Sequence, residues 1–416
     1  MSIAQINYKL QEQIKKFSGK LYGDLNKTAG RFIAQMIYGI LKRKSVHLSE
    51  IARSLGENIP EIKTVNRLSR QLGRKDLHPN INRAIIEEGS AKINSDSLLI
   101  LDLSDIRKNY AKKMEYLTKV HDGSTGEISN GYVLLKIIAY NKNCSEIVPL
   151  YSELYSSKEP GFKSENNKIF DAIDLIRSSI NTTGTWVIDR GGDRMNIFMY
   201  LIKHKHDFII RLIGNRKLIY DNREILAEDL LEHAPVCYRE SIERTGKGED
   251  KFIPLTYRYL KVNLPNVKKN LYLLIVEGFG EKPMMLLTTI KLKKNFNILK
   301  TILESYICRW KIEETIRFVK QSYNLEDIRL LRYKRLKNMM AIVLAVTYFV
   351  AVHLGNNSRL EILTRYAIDA AKILFGIPDF KYYTIVNGIH EILSKFIKGI
   401  SFKSPKYYDN YQLLLL

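Results

Sequence analysis

Cysteine is scarce in this 416-residue chain, and the histidines give no sign of a metal framework. The three cysteines, Cys144, Cys237 and Cys308, are far apart and form no C-x-x-C pair. The eight histidines do not combine with them at zinc-ligand spacing. The sequence therefore excludes a zinc-finger module and a disulfide framework, and it is typical of a protein in a reducing compartment.

Long hydrophobic segments are also lacking. The opening residues are polar and charged, and the longest apolar stretch, residues 339–352, is interrupted by Thr347. Such a stretch is too short and too amphiphilic for a convincing membrane span. The chain also lacks a P-loop and a G-x-G-x-x-G motif. We expect a cytoplasmic protein that has no membrane partner.

Acidic residues are too few to balance the basic ones. There are 66 Lys and Arg against 44 Asp and Glu, which gives a net charge of +22 and a pI near 9.6. Such an excess indicates a polyanionic partner, most simply nucleic acid, although ribosome-associated and membrane-surface proteins carry similar charge. The basic residues are distributed along the chain, and residues 328–337 hold five of them and no acid. Folded surfaces must therefore carry the charge.

The length and the changes of pattern along the chain predict several units. Helical periodicity at both ends encloses a mixed α/β segment and then a run of short strands, which is typical of an insertion into an α/β core. The predicted units are a helical DNA-binding domain at 1–95, the first part of the core at 96–214, a β-rich insertion at 215–295, a core completion with the catalytic helix at 296–350, and a C-terminal helical region at 351–416.

The N-terminal region contains a candidate DNA-binding motif. Residues 48–56 and 61–72 are predicted to form two short helices joined by a turn that contains Gly56. Arg67, Arg70 and Arg74 would follow one side of the second helix. The arrangement resembles a helix-turn-helix with a long turn, and a plain helical hairpin is the equally good alternative.

Two apolar runs end in an aspartate. Residues 97–102 and 184–189 have the continuous hydrophobicity of buried strands and end at Asp102 and Asp189. In an open α/β sheet, reacting groups collect at the carboxyl ends of the strands. Asp105, three residues further on, is an alternative to Asp102. Each acid could also be a simple turn former or helix cap.

The most informative segment is residues 306–320, which hold Tyr306, Arg309, Glu313 and Lys320 at intervals of 3, 4 and 7 positions. On a single α-helix these four side chains would fall within an arc of roughly 60°, whereas Glu314 would point about 100° away. A solvated helix face with i,i+4 ion pairs is the alternative.

Three carboxylates, Asp102, Asp189 and Glu313, would repel one another if the fold brought them together. Such a cluster is tolerated when a cation neutralises it, and Mg²⁺ prefers hard oxygen ligands of this kind. Two such ions can activate a nucleophile and stabilise the leaving oxygen at a phosphodiester. Arg309 and Lys320 are suited to the phosphate itself.

The spacing Tyr306-x2-Arg309-x3-Glu313-x6-Lys320, together with the strand that ends in Asp102 and the Val-Ile-Asp189-Arg-Gly-Gly segment, resembles the DDE transposases of bacterial insertion sequences, specifically the insertion-sequence-4 family. The resemblance covers residues 95–350 and extends weakly to the N-terminal helices. It implies an α/β fold with a ribonuclease-H-like mixed-sheet catalytic core, a β-rich insertion before the catalytic Glu, and flanking helical regions.

The resemblance also implies the roles of these residues. Asp102, Asp189 and Glu313 would be the catalytic residues and would bind two Mg²⁺ ions, with Mn²⁺ as a substitute. Tyr306, Arg309 and Lys320 would contact phosphates of the DNA end. The partners would be double-stranded DNA of transposon ends and target DNA, and the protein would form a homodimer in the synaptic complex. The alternatives are a related nuclease without strand transfer and a catalytically silent DNA-binding regulator.

Overall fold

The computed structural model describes residues 2–23, 26–74, 77–121, 126–180, 184–244, 251–355, 358, 362 and 382–402. The buried hydrophobic residues in these ranges form one cluster that extends from the first helix to the last. Most of the predicted C-terminal region at 351–416 lies outside the described residues.

The N-terminal region is helical, as predicted. Its helices are α1 (Ile3–Leu21), α2 (Lys27–Arg43), α3 (Leu48–Leu55), α4 (Glu61–Leu72) and α5 (Leu77–Ser90). In α1, a capping box between Ser2 and Gln5 satisfies the first backbone N–H groups. The apolar residues then recur at intervals of three and four along one buried face, so the helix is held by packing as well as by its cap.

A mixed sheet forms the centre of the protein. Its strands are β1 (Leu98–Arg107), β2 (Thr118–His121), β3 (Ile128–Asn141), β4 (Glu146–Tyr155), β5 (Thr185–Ile188) and β6 (Phe208–Arg211). Strand β3 is antiparallel to both β1 and β4, whereas β5 is parallel to β1 and to β6. Helices α6 (Glu165–Ser179) and α7 (Met195–Lys203) precede the two parallel strands. The order β4-β3-β1-β5-β6 is the ribonuclease-H-like arrangement, so the predicted fold class is confirmed.

The β-rich segment continues this sheet. It contains β7 (Lys217–Tyr220), β8 (Arg223–Leu226), the short helix α8 (Leu230–His233), β9 (Val236–Arg244), β10 (Lys251–Val262), β11 (Leu271–Glu277) and β12 (Met284–Thr288). Strands β9 to β12 form an antiparallel meander, and β12 pairs with the core strand β6. The insertion expected at 215–295 is therefore not a separate sheet, because its four long strands extend the core into a ten-stranded sheet.

Helices return after the meander. They are α9 (Phe296–Ile307), α10 (Trp310–Ser322), α11 (Tyr333–Tyr348), which continues into a π-helical segment (Phe349–His353), and α12 (Tyr382–Ser394). Helix α11 packs against α5, β4 and α2. The stretch Tyr333–His353 is long and apolar enough to cross a membrane, but 83% of its most apolar window is buried inside the protein, as in the core helix of a globular domain.

Candidate active site

Asp102 and Asp189 lie at matching positions on neighbouring strands. The parallel pairing of β1 and β5 ends at Leu101 and Ile188, and each aspartate is the next residue in its strand direction. Because both aspartates lie one residue beyond the last pair of a parallel register, their side chains are neighbours on one face of the sheet. Strand β1 continues beyond Asp102 to Arg107, so the prediction that this strand ends at the aspartate is wrong.

Backbone amides hold both carboxylates. Asp189 caps the 3₁₀ turn Arg190–Gly192, and its Oδ1 accepts a hydrogen bond from the Gly191 N–H at 2.7 Å. The Asp102 Oδ1 accepts one from the Leu103 N–H at 2.9 Å. The turn-forming role considered for Asp189 is therefore real, and it fixes the carboxylate at the sheet edge.

The third carboxylate comes from α10, which packs on β1 and β3. Burial and the negative charges of Asp189 and Glu313 raise the pKa of Asp102 to about 7, while Arg309 opposes them. The structure thus places Asp189 and Glu313 near enough to Asp102 for their charges to act on its carboxyl group.

The helix around Glu313 is not continuous. We expected one helix from Tyr306 to Lys320, but α9 ends at Ile307 and α10 begins at Trp310. The Arg309 N–H bonds to the Tyr306 carbonyl, and the Ile312 N–H bonds to the Arg309 carbonyl, so the junction is a tight turn with i→i+3 bonds. Tyr306 therefore lies in the last turn of α9, and Arg309 is the first residue outside α10.

Arg309 is a buried charged side chain of the site. It is only 8% exposed, and its Nη1 donates a hydrogen bond of 2.6 Å to Glu313 Oε1. Its guanidinium carbon lies 5.7 Å from the centroid of the Tyr306 ring and 5.6 Å from that of Trp310. The Nε atom is buried and makes no hydrogen bond within the described part of the chain. Arg309 thus contacts Glu313, and Tyr306 lies beside Arg309.

Lys320 and Asp105 form a second, separate ion-pair group. Lys320 Nζ lies 3.8 Å from Asp105 Oδ1 and 3.1 Å from Glu326 Oε1. Arg107 also approaches Asp105, at 3.5 Å. Of the two candidate aspartates, Asp102 is therefore the one that accompanies Asp189 and Glu313. Lys320, which was expected beside Glu313, is two helical turns away from it and contacts Asp105 instead.

Sequence reasoning missed Lys136 in β3. The β1–β3 register places it directly opposite Asp102, and it is 1% exposed. Burial lowers the pKa of Lys136 to about 7. Its position in the apolar run Leu-Leu-Lys-Ile-Ile of a central strand was the available signal, because lysine is almost never fully buried unless it has a role there.

The donor set suits a hard divalent cation, although the site is not preassembled for one. Within the ranges that the structure describes, no three His, Cys, Asp or Glu side chains are arranged as a metal site. Glu313 is paired with Arg309 instead. After burial, the negative charges of Asp189 and Glu313 contribute to the raised pKa of Asp102, and a cation bound by the three carboxylates would neutralise them.

The two predicted helices of the DNA-binding motif are present. Helix α3 ends at Gly56, which adopts a left-handed conformation with φ of 55°, and α4 begins after Pro60. Arg67 is held by Glu57 at 2.6 Å and by Gln35, so it is less available to a ligand than the sequence suggested. The exposed face of α4 includes Lys63, Asn66 and Arg70.

A known family matches part of this chain. Residues 160–349, somewhat less than half of the chain, match the family described as the transposase DDE domain. The matched segment includes Asp189, Tyr306, Arg309, Glu313 and Lys320, and it begins after Asp102. No curated protein matches the chain.

Solved structures with some similarity include two DNA complexes. One is the cryo-EM structure of the piggyBac transposase synaptic complex with hairpin DNA, at 11% identity and a TM-score of 0.44, covering 96% of this chain and 85% of that one. The other is the crystal structure of Ciona intestinalis endonuclease V with a 23mer DNA, at 12% identity and a TM-score of 0.25, covering 58% of this chain and 100% of that one. The match of residues 160–349 to the transposase DDE domain supports a DDE transposase.

Proposed function

We propose that the protein is a DNA transposase of the insertion-sequence-4 family that cuts and joins phosphodiester bonds at the ends of its own insertion sequence. The observation that carries this is the convergence of Asp102, Asp189 and Glu313 at one edge of the sheet. The family match over residues 160–349 and the net charge of +22 support it.

The three carboxylates would hold two Mg²⁺ ions. When bound, the ions would supply charge stabilisation at the phosphodiester and lower the pKa of the attacking water or hydroxyl. Asp102 and Asp189 are held by the sheet and by backbone amides, whereas Glu313 is on a helix and is held by an ion pair with Arg309. We expect Glu313 to be the ligand that completes the site.

Tyr306, Arg309 and Lys320 would contact the phosphates of the DNA end. Arg309 is suited to this because its planar guanidinium matches a phosphate bidentately and its buried Nε has no other bond in the described part of the chain. Phosphate binding by Arg309 would release Glu313 from their ion pair. Lys320 would have to leave its ion pairs with Asp105 and Glu326 to bind a phosphate. It would therefore contact a phosphate further along the same DNA strand than the one bound by Arg309.

The remaining partners follow from the proposed reaction. The α3–α4 pair would bind the terminal repeat, and joining two ends to a target DNA would require a synaptic complex, for which we propose a homodimer. The dimer would then present one site to each of two DNA ends.

The test is a cleavage and strand-transfer assay on duplexes that carry the element's terminal repeats, with Mg²⁺, with Mn²⁺ and with chelator. We expect metal-dependent cutting and joining that Glu313→Gln abolishes and that Glu314→Gln, at the neighbouring position, retains. Asp102→Asn and Asp105→Asn form a second matched pair, in which the first abolishes and the second only weakens cleavage.

Two outcomes would contradict the proposal. Cutting without joining would identify a nuclease that lacks strand transfer. Specific binding of the repeats without metal-dependent cutting would identify a silent regulator, and the carboxylates would then have only structural roles.

A further inference from the structure

Two segments beyond the active site are joined into one basic surface. The loop after β1, residues 108–117, lies against the segment before and at the start of α11, residues 326–334. Lys108 Nζ donates to the carbonyls of Ile328 and Glu326, and the Glu115 N–H donates to the Leu331 carbonyl at 3.0 Å. The Glu115 carboxylate accepts from Arg332 and from the Tyr333 N–H at 2.8 Å. These bonds make the two segments a single preformed unit, which we call the basic ridge.

The ridge presents cations and apolar groups to solvent. Tyr110 is 96% exposed and Leu331 is 57% exposed, which is unusual for large hydrophobic side chains. The exposed cations around them are Lys112, Lys113, Arg329 and Lys334. Of the three acids of the ridge, Glu115 is paired with Arg332 and Glu326 with Lys320, while Asp327 is exposed. The solvent-facing charge is therefore predominantly positive, and the partner it suits is a phosphate backbone.

Strand β1 and helix α10 both lead from the carboxylates towards the ridge. Strand β1 runs from Asp102 to Arg107, and α10 runs in the same direction from Glu313 to Lys320, because Lys320 contacts Asp105. Six residues of extended chain span about 20 Å, so a duplex that runs parallel to β1 would cover this distance in about six base pairs at ~3.4 Å each.

The ridge also adjoins the candidate DNA-binding helix. Asn338, one turn after Lys334 on α11, donates through Nδ2 to the carbonyls of Leu72 and Arg74, at the C-terminal end of α4. The ridge is thus connected to α4 along α11, and to the carboxylates along β1 and α10. We expect a duplex that α4 and the carboxylates both bind to pass over it.

From these contacts we infer that the basic ridge binds the backbone of the element's own end duplex, about six base pairs from the reacting phosphodiester. This inference rests on the proposed function. It assigns the ridge to the DNA end that α4 would recognise rather than to target DNA, because the ridge is attached to α4 through Asn338 and because both segments are fixed before DNA arrives.

The test compares Lys112→Gln/Lys113→Gln with a matched control, Lys268→Gln/Lys269→Gln, which removes the same charge from an exposed loop between β10 and β11. Binding of a labelled terminal-repeat duplex is measured by fluorescence anisotropy over a range of NaCl concentrations. Loss of two phosphate contacts should flatten the plot of log K against log salt by about 1.8. We expect that change in the ridge variant and a change under about 0.5 in the control, with equal melting temperatures.

Two further measurements distinguish binding of the element's end duplex from binding of target DNA. A hydroxyl-radical footprint should lose protection about six base pairs from the cleavage site in the ridge variant alone. The ridge variant should also need more end duplex for half-maximal cleavage and reach the wild-type maximal rate. Equal salt slopes in both variants would overturn the inference, and so would a defect that appears only when target DNA is titrated. Cleavage by the wild-type protein is a separate arm, and its absence would contradict the proposed function instead.

Discussion

Two groups of buried carboxylates on the same sheet have opposite electrostatic character. At the edge formed by β1 and β5, Asp102 is surrounded by Asp189 and Glu313, and its pKa is raised to about 7. On β4, burial alone would raise the pKa of Glu153, but Lys337 and Lys168 at 2.9 and 3.0 Å lower it to about 2. The Tyr151 hydroxyl donates a further bond to Glu153 at 2.8 Å.

The difference separates a structural charge from a functional one. Glu153 has its counterions within the protein, so its charge stabilises the contact between β4, α6 and α11. At the β1–β5 edge, Arg309 makes an ion pair with Glu313, and the charges of Asp189 and Glu313 still help to raise the pKa of Asp102. Crowded carboxylates of this kind destabilise a fold unless a ligand compensates them, and this is why we propose that they bind a cation.

The largest effect is expected from Glu153→Gln. The substitution removes a buried charge on which Lys168 and Lys337 converge, and breaking such a group costs about 3–5 kcal/mol. Urea unfolding at neutral pH should show this loss of stability. Glu281→Gln, at an exposed turn position, is the control and should change the free energy of unfolding by less than about 0.5 kcal/mol. A loss equal to that of the control would mean that the Glu153 group is not a structural ion pair.

Low pH should selectively remove the stabilisation that the ion pairs of Glu153 provide. The pKa of Glu153 is lower in the folded protein than in the unfolded chain, so its contribution is complete above about pH 4.5 and is lost as the pH falls towards 2. The shift corresponds to about 3 kcal/mol. Unfolding experiments at pH 3 and pH 6 should therefore show a smaller pH dependence for Glu153→Gln than for the wild-type protein. An unchanged pH dependence would contradict the assignment.

Asp102→Asn should act in the opposite direction on stability. Removing one of three mutually repelling charges should raise the free energy of unfolding by about 1 kcal/mol, while catalysis is lost. Mg²⁺ should raise the melting temperature of the wild-type protein but not that of this variant, since a ligand stabilises only the state that binds it. Asp105→Asn, which breaks pairs with Lys320 and Arg107, should destabilise the protein and retain the Mg²⁺ effect.

The smallest effect concerns the ion pair between Arg309 and Glu313. Arg309→Gln should free Glu313 and strengthen Mn²⁺ binding by DNA-free protein several-fold, because the cation no longer competes with a guanidinium at 2.6 Å. Electron paramagnetic resonance of free Mn²⁺ measures this without any turnover. Arg317→Gln, an exposed position on the same helix, should leave the affinity unchanged. Weaker Mn²⁺ binding by the Arg309→Gln protein would show that Arg309 orients Glu313 for the metal ion rather than keeping it from the metal ion.

The elements with strong local patterns could be predicted from the sequence. The run of short strands expected within 215–295 and the helical N-terminus are both present. Strand β4 was missed because Pro149 and a turn at Lys142–Cys144 interrupt its pattern, whereas the fold accommodates Pro149 beside a register shift and buries the strand under α5 and α11.

The sequence indicated which residues to consider for the site, but it did not indicate how they contact one another. Asp102, Asp189 and Glu313 were identifiable because strand ends and residue spacing are local signals. The break between α9 and α10, the pairing of Lys320 with Asp105, and the position of Lys136 opposite Asp102 depend on strand register and helix packing. A single sequence carries no direct signal for such contacts, and the continuation of the sheet through β6 and β12 was hidden for the same reason.

That continuation has a consequence for how the chain folds. Strands β1 to β6 are complete at residue 211, but β12, which covers the open edge of β6, is not made until residues 284–288. During synthesis, the apolar strand Phe208–Arg211 is therefore an exposed edge that can pair with another chain. Strand β12 covers that edge once it is made, so we expect fragments that end between β6 and β12 to be insoluble even though they contain Asp102 and Asp189.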